Sequence, residues 1–198
     1  MRLLCIVFYL ILVFPGLSQT LTASKEPTSV TPLLIGQKVP PVILSNVKGL
    51  PVNLQELLLE KPSVIIFYRG GWCPYCNTHL AELQTIEKEI TKSGFQILAI
   101  SPDSPESLRN SLAKKNLRYT LLSDSQGEAM KAFGIAFLAP ERYADMLGTA
   151  SAGQNTQWLP VPSVFVTGKD GSILFEYVNP DYKVRLKGSM LIAVLREL

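Results

Sequence analysis

The feature that most constrains the fold is an apolar run that leads into two closely spaced cysteines. Residues 63–68 are apolar or β-branched at almost every position, which is typical of a strand buried on both faces. The tetrapeptide Cys73-Pro74-Tyr75-Cys76 follows, and after it apolar residues recur at spacings of three and four, the period of an amphipathic helix. A proline suits the first turn of a helix because its missing N–H needs no partner there. The sequence therefore predicts a strand, a short loop and a helix that begins at the cysteines.

The remaining segments alternate between predicted strands and helices. Strands are predicted at residues 95–100, 119–122, 163–167 and 172–178, and helices at 104–115, 126–133 and 184–198. Residues 42–44 and 52–54 predict a short hairpin in front of the core, and residues 138–159 form an irregular insertion with a helical part at 140–147. This alternation indicates an α/β protein with a central mixed, mainly parallel sheet and helices on both faces.

The N-terminus has the pattern of a secretory signal peptide covering residues 1–18. Arg2 precedes an uninterrupted apolar run, residues 3–14, and small residues lie near Ser18, where a signal peptidase would cleave. The alternative is a retained membrane anchor, but the run has 12 residues, whereas a spanning helix needs about 20. We therefore expect cleavage near Ser18, a secreted or periplasmic protein, and no stable membrane insertion after cleavage.

Cleavage would leave a polar leader, one domain and two cysteines. Residues 19–33 are rich in Ser, Thr and Pro and are predicted to be flexible, and residues 34–198 are long enough for one core. Cys5 would be removed, so Cys73 and Cys76 would be the remaining thiols. Cysteines this close together close almost no loop, which argues against a structural disulfide and in favour of redox chemistry.

The start of a helix gives the two cysteines different chemistry. Unpaired N–H groups and the positive end of the helix dipole stabilise a thiolate at Cys73, whereas Cys76 lies one turn further along on the apolar face. We expect Cys73 to attack an external sulfur or oxygen, and Cys76 to resolve the product by forming a Cys73–Cys76 disulfide. A zinc site would need more ligands than one histidine and two cysteines, so neither a metal nor a bound cofactor is predicted.

Four further side chains near the pair are candidates for the site, each with a purely structural alternative. Arg69 is a candidate to stabilise the thiolate by its charge, or a solvated loop arginine. His79 is a candidate proton shuttle to the second cysteine, or a packed histidine. Trp72 and Tyr75 are predicted to form a flat apolar rim for a partner, unless they only pack the turn.

Four segments together carry a family pattern. They are residues 67–77, 100–104, 122–128 and 161–165, which read FYRGGWCPYCN, ISPDS, LSDSQGE and VPSVF. These segments resemble the peroxiredoxin-like branch of the alkyl hydroperoxide reductase/thiol-specific antioxidant family. The resemblance covers about residues 34–198 and implies a thioredoxin-like fold, an antioxidant thiol oxidoreductase and Cys73 as the reactive cysteine.

The resemblance to thioredoxin-like folds also assigns a role to the segment in front of the late strand. In such folds a cis-proline faces the cysteine pair, and the residue before it offers backbone hydrogen bonds to a bound substrate. We therefore expect Pro162 to be cis and Val161 to position substrate, with the insertion lying just before this strand.

The chain departs from the typical peroxiredoxin pattern at three positions. Ile66 and Gly70 stand where typical members carry a proline and a threonine, and Pro162 stands where they carry an arginine. The missing threonine and arginine polarise the peroxide in that family, so Arg69 would have to compensate. Cys-Pro-Tyr-Cys is also the glutaredoxin tetrapeptide, so a disulfide remains an alternative to a hydroperoxide as the substrate.

The sequence thus predicts a thiol-dependent oxidoreductase that reduces hydroperoxides or disulfides through a Cys73–Cys76 dithiol/disulfide cycle. An external thiol, thioredoxin-like or glutathione-like, would be the reductant. The alternatives are an extracytoplasmic protein-disulfide reductase or oxidase and, more remotely, a copper carrier, for which residues 138–159 lack the needed histidine. A net charge of +3 with scattered cations excludes a nucleic-acid partner.

Overall fold

The computed structural model describes residues 23–115 and 117–198, so the predicted signal peptide and Cys5 lie outside the described residues. The strands are β1 (Ile43–Asn46), β2 (Pro51–Asn53), β3 (Ser63–Phe67), β4 (Gln96–Ser101), β5 (Thr120–Ser123), β6 (Ala136–Leu138), β7 (Trp158–Pro160), β8 (Ser163–Thr167) and β9 (Ile173–Val178). The helices are α1 (Leu54–Glu60), α2 (Pro74–Lys92), α3 (Pro105–Lys115), α4 (Glu128–Ala132), α5 (Ala144–Ala150) and α6 (Gly188–Glu197), with short 3₁₀ turns at Pro27–Ser29 and Glu141–Tyr143.

A seven-stranded mixed sheet with the order β2-β1-β5-β4-β3-β8-β9 forms the centre of the molecule. Strands β3, β4 and β5 are parallel, and β1, β8 and β9 pair with their neighbours in the antiparallel sense. The predicted hairpin is confirmed as β1 and β2. The predicted α/β architecture, with a mixed sheet between helices, is confirmed as well.

Strand β3 shows why the sheet is covered on both faces. Its side chains alternate between two hydrophobic clusters: Ile65 and Phe67 pack into one, and Val64 and Ile66 into the other. The second cluster contains the apolar face of α2, including both cysteines, together with residues of α3 and α6. The buried strand and the buried face of the cysteine helix therefore belong to one core.

The insertion and two helices differ in detail from the prediction. Strands β6 and β7 pair as a separate two-stranded sheet, with the 3₁₀ turn Glu141–Tyr143 and α5 between them. The prediction missed α1, which Asn53 caps by accepting a hydrogen bond from the Gln55 N–H. Helix α6 begins at Gly188, four residues later than predicted.

The polar segment predicted to be a flexible leader is packed against the domain from Ser24 onward. The N–H groups of Ser24, Thr31 and Leu33 donate to carbonyl oxygens of residues 133–136 at 2.9–3.1 Å. Gly134 permits this contact: its φ is +67°, and a Cβ there would lie 2.0 Å from the Thr31 carbonyl oxygen. The difference arises because these backbone groups pair with residues 133–136, at and just before the start of β6, which sequence composition does not show.

Candidate active site

The loop between β3 and α2 places Cys73 at the N-terminal cap of α2. Cys73 has an extended backbone, its N–H donates to the Gly70 carbonyl at 3.1 Å, and its carbonyl accepts the Asn77 N–H at 3.0 Å. Gly70 has a φ of +139°, and a Cβ there would lie 2.4 Å from Trp72 Nε1, so the turn requires glycine. Asp103, which follows β4, also fixes the loop, because its Oδ2 accepts a hydrogen bond from the Gly71 N–H at 2.7 Å.

The two cysteines are free thiols and both are buried. Cys73 is 1% exposed, and Cys76 lies behind it on the same face of the helix. A hydrogen bond from the Cys76 thiol lowers the pKa of Cys73 to about 6, against the opposing effect of burial; the Cys76 backbone N–H and the charges of Arg69 and Arg185 lower it further. The same hydrogen bond, burial and the negative charge of Cys73 raise the pKa of Cys76 well above its ordinary value. One thiol is thus prepared as the nucleophile while the other keeps its proton.

The guanidinium of Arg69 lies in a box of three aromatic rings. Its carbon is 5.0 Å from the ring centre of Trp72, 4.8 Å from that of Tyr143 and 4.3 Å from that of Tyr182. Arg69 is 4% exposed, so it is not a solvated loop arginine. Its buried charge contributes to the lowered pKa of Cys73.

Arg185 is a residue of the site that sequence reasoning missed. Its Nη2 donates to Cys76 Sγ at 3.4 Å, although the two residues are 109 positions apart. The segment before α6 also carries Lys183 and Lys187, so the sequence held no signal that singled out Arg185.

His79 is buried on α2, one turn beyond Cys76. Burial, followed by the positive charge of Arg185, lowers the pKa of His79 to about 4. The imidazole is therefore neutral near pH 7, which fits a packed histidine better than a proton shuttle.

Trp72 and Tyr75, the residues of the predicted rim, each contact another aromatic ring. The Trp72 ring packs on Tyr143 with centroids 5.7 Å apart, and Tyr75 contacts the Tyr182 ring edge-on at 5.7 Å. Tyr75 is 41% exposed and is the part of the tetrapeptide that faces solvent. Both residues therefore pack against rings of other segments, and their role as a rim for a partner stays a prediction.

The prediction of a cis-proline at Pro162 is wrong, because every peptide bond in the described part of the chain is trans. Val161 continues the path from β7 to β8: its N–H donates to the Ile135 carbonyl at 2.8 Å, and its carbonyl accepts the Ser163 hydroxyl at 2.7 Å. The trans form is the intrinsically favoured one. In the extended conformation both the N–H and the carbonyl of Val161 have hydrogen-bond partners, so no cis bond is needed to pair them. The N–H of Val161 is also already engaged, so it does not offer a hydrogen bond to substrate.

A cavity of about 490 Å³ opens beside the cysteine loop. Its lining includes Arg69 of the cysteine loop, Pro162 and Tyr182, together with residues 137–143 of the insertion. Residues 25–27 of the packed leader complete the lining. The cysteine loop, the insertion and the leader thus line a largely apolar space next to the Arg69 guanidinium.

The described residues contain no group of three His, Cys, Asp or Glu side chains arranged to hold a metal ion. In the same part of the chain, no helix is both long and apolar enough to cross a membrane.

Comparison with known proteins identifies the family. The model of the AhpC/TSA family matches residues 35–175. The chain belongs to the AhpC/TSA family. A putative peroxiredoxin Bcp of Haemophilus influenzae is 34% identical over 104 residues, which are 52% of this chain and 66% of that protein. Chloroplastic peroxiredoxin Q of Sedum lineare is 29% identical over 144 residues, 73% of this chain and 68% of the relative. The matches thus span about two thirds of the length of these AhpC/TSA relatives.

Solved structures support the fold. Peroxidoxin BcpB of Mycobacterium tuberculosis superimposes with a TM-score of 0.65 at 22% identity, covering 83% of this chain and 97% of the other. Reduced Prx3 of Vibrio vulnificus in complex with H₂O₂ gives a TM-score of 0.70 at 16% identity, with 82% and 99% coverage. The predicted resemblance to the AhpC/TSA family and the predicted thioredoxin-like fold are both confirmed.

Proposed function

We propose that the protein is a thiol-dependent peroxidase that reduces hydroperoxides through a Cys73–Cys76 dithiol/disulfide cycle. The observation that carries the proposal is the arrangement of the two sulfurs. Cys73 lies at the start of α2 with a lowered pKa, and the thiol of Cys76 hydrogen-bonds to it from one turn behind. Membership of the AhpC/TSA family, whose curated relatives carry the name peroxiredoxin, supports the same reaction.

The reaction proceeds in three balanced steps. The Cys73 thiolate attacks the terminal oxygen of ROOH; the S–O bond forms, the O–O bond breaks, and ROH leaves with a proton from solvent. The Cys76 sulfur then attacks the Cys73 sulfenic acid, which forms the disulfide and releases water. Finally, two thiol equivalents from outside reduce the disulfide by exchange and are themselves oxidised to a disulfide.

Two observations favour a hydroperoxide over a protein disulfide as the oxidant. Cys73 is 1% exposed, so its sulfur is harder to reach for the disulfide of a folded protein than for a small molecule. The N–H of Val161 is bonded to Ile135, so the backbone position expected to bind a polypeptide substrate is occupied. A hydroperoxide needs to bring only its two oxygen atoms to the thiolate.

The cavity next to the cysteine loop favours organic hydroperoxides over H₂O₂. Its insertion wall includes Phe137, Leu138 and Ala139, and its volume of about 490 Å³ suits an alkyl chain rather than a single small molecule. The bacterioferritin comigratory protein of Xanthomonas campestris, which has the same fold, has alkyl peroxide reduction activity, and this agrees with the proposal.

Arg69 is proposed to replace the threonine and arginine that typical peroxiredoxins use. It lines the cavity and also lowers the pKa of Cys73. A fixed positive charge at that place stabilises both the thiolate and the negative charge that develops on the departing oxygen. The three aromatic rings hold the guanidinium there before the substrate arrives.

The reductant is proposed to be a small thiol of the glutathione type in first place, with a thioredoxin-like dithiol as the second candidate. The burial of the cysteines favours a small molecule, because it reaches the Cys73–Cys76 disulfide with the least rearrangement of the loop. Turnover measured with each reductant at equal thiol concentration distinguishes the two.

Paired cysteine variants test the function. With cumene hydroperoxide, Cys73→Ser is expected to consume no peroxide, whereas Cys76→Ser is expected to turn over once and to accumulate a sulfenic acid on Cys73, detected by mass spectrometry. Wild-type protein is expected to consume cumene hydroperoxide faster than it reduces insulin disulfides. Full activity of Cys73→Ser, or faster insulin reduction, would contradict the proposed function.

We further propose that the protein is secreted or periplasmic after cleavage near Ser18. The support is the sequence pattern of residues 1–18, which lie outside the described residues. The intact mass of protein isolated from its native host is expected to correspond to a chain that begins close to Gln19. A mass that includes Met1 would rule out cleavage.

A further inference from the structure

The segment between β9 and α6 brings Arg185 directly against the resolving sulfur. Nη2 of Arg185 donates to Cys76 Sγ at 3.4 Å. Nη1 donates to the carbonyl oxygens of Tyr182 and Val184, the latter at 2.8 Å. Two backbone acceptors on one nitrogen fix the guanidinium in its plane, so its other edge is aimed at the sulfur rather than swinging freely.

The charge of Arg185 is available to the sulfur because no carboxylate among the described residues forms an ion pair with it. Among the described residues, the ion pairs involve Lys38, Lys131 and Arg196, not Arg185. Arg185 is half-buried, so solvent screens its charge less than at a fully exposed position.

The other groups that face Cys76 do not supply this charge. Cys73 repels a second negative charge while it is a thiolate and carries no charge as a sulfenic acid, and burial keeps the phenol of Tyr68 neutral by raising its pKa. His79 is a neutral imidazole. The backbone N–H of Arg69 interacts with Cys76, while the guanidinium of the same residue is held among its three aromatic rings.

We propose that Arg185 is a catalytic residue that stabilises Cys76 as a thiolate in the two steps in which the Cys73–Cys76 bond forms and breaks. This inference rests on the proposed function and extends it. In resolution, Cys76–S⁻ attacks the sulfur of Cys73–SOH; the S–S bond forms, the S–O bond breaks, and hydroxide leaves and takes up the proton that Cys76 lost. In reduction, an external thiolate attacks the Cys73 sulfur, and Cys76–S⁻ is the leaving group.

The proposal predicts which steps depend on Arg185 and which do not. In the dithiol state burial, the hydrogen bond and the charge of Cys73 all raise the pKa of Cys76, and Arg185 opposes them. In the sulfenic acid state Cys73 carries no charge, whereas burial still raises that pKa and Arg185 still lowers it. Removing its charge is expected to raise that pKa by about one unit, which makes the Cys76 thiolate about tenfold rarer at a fixed pH below the pKa. The first step uses Cys73, whose pKa is about 6; Arg185 is the smallest of the causes that lower it, so the first step is expected to depend little on Arg185.

The experiment compares Arg185→Met and Arg185→Lys with Arg196→Met in the full mature chain. The Arg196→Met substitution is the control, because it removes the same charge from the same C-terminal region. The Arg196 side chain is 68% exposed and pairs with Glu89, away from the cysteines. Stopped-flow tryptophan fluorescence, to which Trp72 beside Cys73 and Trp158 both contribute, follows sulfenic acid formation and resolution with cumene hydroperoxide. Reduction of the disulfide by dithiothreitol is measured across pH on protein oxidised beforehand with diamide.

Arg185→Met is expected to slow resolution and reduction by about tenfold and to displace the pH profile of resolution upward by about one unit, while sulfenic acid formation stays within about twofold of wild type. Arg185→Lys is expected to recover part of both rates, and Arg196→Met to behave as wild type. Equal loss in all three steps, or an unchanged pH profile of resolution, would overturn the proposal. Diamide forms the disulfide without peroxide. The rate of disulfide reduction therefore tests the role of Arg185 even if the protein fails to consume hydroperoxide.

Discussion

Replacing Cys76 by alanine tests what lowers the pKa of the Cys73 thiol. That pKa is about 6, against an ordinary value of 9.0, and its largest cause is the hydrogen bond from the Cys76 thiol. Hydrogen bonds to charged groups contribute about 1.5–3 kcal/mol. Since one pKa unit corresponds to about 1.4 kcal/mol, Cys76→Ala is expected to raise the pKa of Cys73 by roughly one to two units.

Cys76→Ser is the matched control, because its hydroxyl can still donate to the thiolate. Each variant leaves a single thiol in the mature chain, so the rate of alkylation by iodoacetamide, measured against pH, reports Cys73 alone. The alanine variant is expected to titrate at clearly higher pH than the serine variant. If both titrate near the wild-type value, the hydrogen bond is not the cause, and the helix terminus and the two arginines must account for the shift.

Three further predictions concern charge, packing and pH. Arg69→Met is expected to slow hydroperoxide reduction and to raise the pKa of Cys73, both read from a pH–rate profile, because the buried cation is lost. Gly134→Ala is expected to destabilise the protein by at least about 1–3 kcal/mol in urea unfolding, since a Cβ there would meet a backbone oxygen at 2.0 Å; Gly153→Ala, also at positive φ but in open space, is the control. Burial raises the pKa of Asp124 to about 7 from 3.8, so the folded state binds more protons than the unfolded state between these values. The free energy of unfolding is therefore expected to fall as pH rises through that range, and Asp124→Asn to flatten the dependence.

The elements around the cysteines could be predicted because their signals are local. The buried strand β3 is an uninterrupted apolar run, and α2 combines an apolar stripe with a proline at its first turn. The sequence also contains a local signal for α1, because Asn53 is followed three residues later by Glu56, the spacing of a capping box.

The parts of the site that were not predictable depend on contacts between distant segments. Arg185 reaches Cys76 only because α6 packs beside α2, and nothing within the segment that carries it distinguishes it from neighbouring lysines. The burial of Arg69 needs rings from residues 143 and 182, far along the chain. The error at Pro162 has another origin, because a conformation was transferred from a general fold pattern to a segment whose hydrogen bonds follow a different path.

The packed leader has a practical consequence for any shortened version of this protein. A chain that begins at residue 34, where sequence composition alone places the start of the domain, would lack residues 25–27 and thus one wall of the cavity. It would also leave the carbonyl oxygens of Phe133 and Gly134 without their partners from Leu33 and Thr31. Substrate preference measured on such a fragment would describe an opened groove, so residues 25–27 belong in any chain on which selectivity is measured.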